Sequence, residues 1–107
     1  MPVRERIDGV SVDTKANVYF DGRCVSHNIR LANGALSSVG VILPGKLLTF
    51  HTADPEKIEL IAGRCRVKLP RSADTREFGA GESFEVPGWS RFEIEALETL
   101  HYVCHFG

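Results

Sequence analysis

The sequence is short of most features that would place it outside a reducing, aqueous setting. Its 107 residues include 3 cysteines, Cys24, Cys65 and Cys104, with no Cys-x-x-Cys pair and no Cys-x-His cluster. An odd count without such spacing excludes a disulfide framework and a structural zinc site. The three thiols therefore read as core residues. No apolar run approaches the roughly 18 residues that a membrane-spanning helix needs. The opening MPVRERIDG has no apolar stretch of the kind a secretory leader carries. A cytoplasmic location is the expectation. An excess of basic charge is also missing: 13 Lys+Arg stand against 14 Asp+Glu, for a net charge of -1. Nucleic acid and membrane surfaces are therefore not expected partners. Finally, no segment repeats its apolar residues with the 3.6 period of a helix.

Glycine turns and alternation are what the chain does have. Asp21-Gly22, Asn33-Gly34, Pro44-Gly45, Ala80-Gly81 and Pro87-Gly88 punctuate it. Such pairs favour turns because glycine accepts positive φ and proline pre-sets φ near its turn value. Between them lie short runs with a period of two. Strands are predicted over 23–31, 35–43, 46–52, 58–62, 65–69, 83–86, 91–95 and 100–106. Cys65, Val67 and Leu69 face one way, and Arg64, Arg66 and Lys68 the other. Residues 71–77, RSADTRE, read as a polar loop. Residues 1–16 are polar and mixed in charge, and read as an N-terminal extension or an added edge strand. Residues 17–107 read as one all-β domain, a single β-barrel (jelly roll).

Two stretches organise that barrel. The first runs from Pro44 to Gly63, with Gly45, His51, Ala53 and Glu56 along it. The second runs from Gly81 through Pro87 to Phe92. The spacing resembles the two cupin motifs, which in that fold supply three histidines and a glutamate to one divalent ion. Here His51 and Glu56 remain, while Ala53 and Phe92 stand where histidines are expected. A first-row metal site usually takes at least three protein ligands, so no metal is expected. His27, His101 and His105 fall outside the ligand positions and read as surface or sheet-face residues. A metal-dependent cupin enzyme recruiting His101 or His105 remains an alternative, as does a cupin that binds a small molecule without turning it over.

From about Asn17 onward the chain resembles the pyrimidine/purine nucleoside phosphorylases, a family of small bacterial proteins. VYFDGR at 18–23, SSVGV at 37–41 and TFHTADPEKIELIAGRCRVKLP at 49–70 carry the resemblance, followed by FGAGESFEVPGWSRFEI at 78–94 and HYVCHF at 101–106. It implies cleavage of purine and pyrimidine nucleosides by inorganic phosphate to free base and (deoxy)ribose 1-phosphate. It implies no cofactor beyond phosphate as co-substrate. Such a site needs a cation for phosphate, a polar group for the ribose, and an aromatic surface for the base. Arg23 and Arg91 are the candidates for phosphate. His51 and Glu56 are the candidates for catalysis, with Glu56 placed to hold sugar hydroxyls and His51 to protonate the base or meet phosphate. Phe50, Phe92 and Tyr102 are the candidates for stacking. No Asn/Gln cluster for reading bases is evident, and Asn28 and Asn33 read as turn or strand residues. Stacking without such a cluster agrees with broad specificity. A homodimer is expected, because small barrels cover their edges by pairing.

Overall fold

Alternation of apolar and polar residues dominates the sequence, and the backbone follows it. The computed structural model describes residues 4–107. Among these, the chain forms eleven strands: β1 (Ser11–Val12), β2 (Asn17–Tyr19), β3 (Cys24–Arg30), β4 (Leu36–Ile42), β5 (Leu47–His51), β6 (Glu56–Ala62), β7 (Arg64–Lys68), β8 (Arg76–Gly79), β9 (Ser83–Val86), β10 (Arg91–Ala96) and β11 (Leu100–Phe106). The one helical element described is a 3-10 turn at Phe20–Gly22. One sheet runs β1-β3-β4-β11-β6-β9, with β2 also paired to β3, and the other runs β5-β10-β7-β8. Within the extension, Ser11 and Val12 pair with Arg30 and Ile29. Its first three residues lie outside the described part.

The fold is all-β, as the alternation predicts, but its hydrogen bonds do not close into the expected single barrel. The two sheets face one another with their ladders separate. The corners explain this. Gly63 alone separates β6 in one sheet from β7 in the other. Its φ is +90°, and a Cβ there would run into the Thr99 carbonyl. A corner that sharp ends a ladder rather than bending it into the next one.

Between the sheets lie Leu48, Leu60, Val67, Phe84, Val86, Phe92, Ile94 and Leu100, all buried. Burying one such side chain stabilises the fold by roughly 1.5–3 kcal/mol. The outer face of the larger sheet is apolar too. Val25, Val39, Val41, Ile61 and Val103 line a shallow groove there together with residues 4–7. Most predicted strand ends fall within one residue of those observed, and two departures are larger. β6 starts at Glu56 rather than at residue 58, so Glu56 is a strand residue. The segment read as the loop 71–77 gives way to β8 at Arg76, which the Cys65–Phe78 and Val67–Arg76 pairings with β7 recruit into the sheet.

Candidate functional site

A cavity of about 160 Å³ opens between the sheets at the end where β5 stops and β6 begins. Strand periodicity decides what enters it. On β6, Ile58 and Leu60 point to the core, so Glu56 two residues earlier points the same way at the open end. On β3 the inward set is Cys24, Ser26 and Asn28, and on β4 it includes Ser38 and Ile42. β10 contributes Phe92 and Ile94, and β11 contributes Leu100, Tyr102, Cys104 and Phe106. The result is one aromatic wall, one wall of hydroxyls and an amide, and a single carboxylate among the lining residues.

Five of the seven expected site residues line this cavity: Phe50, His51, Glu56, Phe92 and Tyr102. Phe50 and Phe92 stack with ring centroids 5.6 Å apart and planes 17° apart. His51 sits exposed at the rim, with Arg91 opposite it across the β5–β10 ladder. The two arginines expected to hold phosphate are not among the lining residues. Arg23 Nη1 donates to the Pro44 carbonyl at 3.0 Å. Arg91 borders a separate depression with Lys68, Arg71 and Ser72, which touches the cavity through Phe92. Alternation is the reason for Arg91, because Phe92 beside it on β10 points inward; Arg23 lies in the turn before β3 and reaches back to the Pro44 corner.

Burial sets the electrostatics. It pushes the Glu56 carboxyl above the usual carboxylate range, and nearby Asp54 adds to this, while the Cys104 thiol opposes it by donating to Glu56 Oε1 at 3.4 Å. Burial also pushes the Tyr102 hydroxyl far above the ordinary tyrosine range, with the neighbouring Cys24 thiol contributing, so the phenol stays protonated. Tyr102 Oη lies 3.5 Å from Cys24 Sγ. Room for this ring comes from Gly40: a Cβ there would stand 2.7 Å from Tyr102 Oη and 2.7 Å from the Val25 carbonyl.

The resemblance to cupin motifs raises the question of a metal, and this donor set does not fit one. Of the cavity's side chains, His51 and Glu56 remain as ligand types at motif positions, and a Phe92 ring with no lone pair fills the third place. Among the described residues no group of three His, Cys, Asp or Glu comes together. His101 and His105 lie on the opposite face of the sheet. His101 borders the outer groove with residues 4–7, and His105 Nε2 meets Glu59 Oε1 at 2.7 Å while its Nδ1 meets Ser37 Oγ at 3.0 Å. His27 Nδ1 sits 3.0 Å from the Asp13 carbonyl.

The polar wall is what the sequence reading misses. Asn17 Nδ2 donates to Asn28 Oδ1 at 3.0 Å and to Ser26 Oγ at 3.3 Å. That bond engages the Asn28 oxygen. The signal lies in Asn17-x-Tyr19 and Cys24-x-Ser26-x-Asn28, two runs of period two in which polar residues hold the inward places. Inward serines and asparagines pass for a solvated face unless the strand's other side is known to be apolar.

Comparison with known proteins agrees across nearly the whole chain. The family model described as pyrimidine/purine nucleoside phosphorylase matches residues 14–106. A pyrimidine/purine nucleoside phosphorylase of Azoarcus sp. (strain BH72) is 56% identical over 108 residues, covering 100% of both chains. A crystal structure from Acinetobacter sp. ADP1, described as a protein of unknown function, superposes with a TM-score of 0.92 at 48% identity, over 95% of this chain and 98% of that one. The cupin domain of Schizosaccharomyces pombe Cnp3 superposes with a TM-score of 0.64 at 12% identity, over 88% of this chain and 69% of that one, a likeness of fold alone.

Proposed function

The chain belongs to the pyrimidine/purine nucleoside phosphorylase family, and from that premise we propose how its cavity performs phosphorolysis. The nucleoside enters between the sheets, phosphate attacks the anomeric carbon, and the base departs, with no metal ion taking part. The observation that carries this placement is Glu56, the one carboxylate among the lining residues, held partly buried at the open end.

Each role follows from the surroundings of the group. Cleavage of the glycosidic bond leaves charge on the departing base, which a proton donor relieves. A carboxyl whose pKa is raised by burial keeps its proton at higher pH, and the thiol of Cys104 occupies Oε1, leaving Oε2 to carry that proton. Phe50 and Phe92 offer the base a stacked aromatic surface. Ser26, Asn28 and Ser38 face the same space with hydroxyl and amide groups that suit the ribose. Phosphate meets the rim at His51, with Arg91 across the ladder supplying positive charge to its approach. Arg23 braces the Pro44 corner instead. Gripping the base through stacking favours breadth, because every base has a π-face.

The two facing sheets are the halves of a cupin-type jelly roll in this reading, with residues 1–16 an added edge element. Three buried thiols with no disulfide suit a cytoplasmic setting. The chain works as a homodimer, since Val18, Leu47 and Trp89 are left uncovered in one copy. The test is to incubate the pure protein with uridine or adenosine, with and without phosphate. Base released only with phosphate is the expected result; base released in neither arm overturns the reading.

A further inference from the structure

The residues around 18–22 do something that their sequence alone does not require. Asn17, Val18 and Tyr19 pair with Ser26, Val25 and Cys24. Strand alternation puts Asn17 and Tyr19 on the cavity side with Ser26 and Cys24, and leaves Val18 outside at 62% exposure. The hairpin then closes through Phe20 at φ +55°, Asp21 at φ +56° and Gly22 at φ +91°. Only one of these three left-handed residues is a glycine. A bulky side chain rarely adopts this region, and backbone strain of this kind persists only where the surroundings over-determine it.

The surroundings here do so. Arg23 N–H donates to the Phe20 carbonyl at 3.2 Å, and Leu43 N–H to the Arg23 carbonyl at 2.8 Å. The outcome is aromatic. Phe20 meets Phe50 edge-on at 5.2 Å and Tyr19 meets it at 6.2 Å, both rings remaining partly exposed at the cavity mouth. The β2–β3 pairing places the Tyr19 ring, and the left-handed Phe20 swings its own ring beside Phe50 to support it. Tyr19 lines the cavity, and burial, then Cys24 and Glu56, raise its phenol above the ordinary value, so it stays protonated.

We propose that Tyr19 is a substrate-binding residue, placed at the cavity mouth by the β2–β3 pairing and supported there by the left-handed Phe20–Gly22 turn, where its ring receives the base of the nucleoside beside Phe50. This rests on the phosphorolysis reading of the site. Its phenol donates one hydrogen bond to a ring nitrogen or carbonyl, a group that purines and pyrimidines both carry.

The experiment measures KM separately for uridine, adenosine and phosphate. Tyr19→Leu keeps apolar bulk and removes the ring and hydroxyl. It raises KM for both nucleosides about ten-fold, the scale of one lost base–aromatic contact, and leaves KM for phosphate within about two-fold. Tyr19→Phe restores most of the loss. Phe20→Asn keeps a residue that accepts the left-handed backbone but removes the ring that buttresses Phe50, and it also raises the nucleoside KM. A folded Tyr19→Leu with unchanged nucleoside KM overturns the proposal. If that variant does not fold, unchanged values in Phe20→Asn overturn it. Wild-type protein that releases no base overturns the phosphorolysis reading and this inference together, whereas an active wild type with indifferent variants overturns this inference alone.

Discussion

In the proposed reaction, Glu56 is an inward position that trades stability for chemistry. Its folded pKa lies above the unfolded value because burial disfavours the charge. The stability linked to it is therefore fully present below the unfolded carboxylate pKa and is lost as pH rises through the folded value. Glu56→Gln keeps the shape and removes the charge. It is expected to melt a few degrees higher than wild type at neutral pH, to match wild type near about pH 4, and to lose about 100-fold or more in phosphorolysis. Thermal melts at the two pH values, with rates alongside, check all three. Gly40 makes a steric case. Tyr102 can swing away from a new Cβ, but the Val25 carbonyl 2.7 Å from it is backbone and cannot. Gly40→Ala is expected to cost about 1–3 kcal/mol by urea denaturation and to displace the Tyr102 ring from the cavity.

At the level of elements, β4, β6 and β11 are tied across their outer face by one chain of polar groups. Arg4 donates to Glu59 at 3.1 Å, Glu59 meets His105, and His105 meets Ser37. Burial raises the Glu59 pKa, but the bonds from His105 and Arg4 outweigh it, and the net shift is downward. A depressed carboxylate contributes stability above its unfolded pKa and loses it as pH falls through the folded one. Glu59→Gln is thus expected to melt lower than wild type at pH 7, with the two curves converging below about pH 4. A gap that stays constant with pH would show that the contact is not ionic. Strands such as β7 and β10 were legible in the sequence because apolar and charged residues alternate without a break. β8 was not: Arg76 and Glu77 carry no local pattern, and its strand comes from the ladder to β7, which is a long-range fact. Five of the seven candidate residues line the cavity, and four of these five, all but Tyr102, lie on the two motif stretches. The inward hydroxyls and amide were hidden, because a polar residue facing a cavity and one facing solvent look alike. The outward direction of Arg91 was implicit in the inward Phe92 beside it, whereas that of Arg23 depends on the turn before β3.

For the whole molecule, the open question of what covers its exposed apolar groups has a built-in reporter. The sequence holds 1 tryptophan, and Trp89 is 89% exposed in the single chain. It is not loosely held. Its φ is +50° and its N–H donates to the Ala53 carbonyl at 3.2 Å. The turn beneath it is locked by Thr52 Oγ1, which donates to the Pro87 carbonyl at 2.7 Å, and by Ser90 Oγ, which donates to the same carbonyl at 2.6 Å. A rigid turn that presents a bare indole suits an interface, because little backbone freedom remains to be lost on association. β5 and β9 also end their sheets with open edges. Light scattering is therefore expected to give the mass of two chains. In the dimer, tryptophan emission should lie to the blue of free indole and resist acrylamide quenching, and dilution to the monomer should reverse both. A mass of one chain at every concentration refutes the homodimer. A dimer whose tryptophan still emits as if in water keeps the assembly but moves its interface away from the Pro87–Ser90 turn, toward the uncovered Val18 and Leu47.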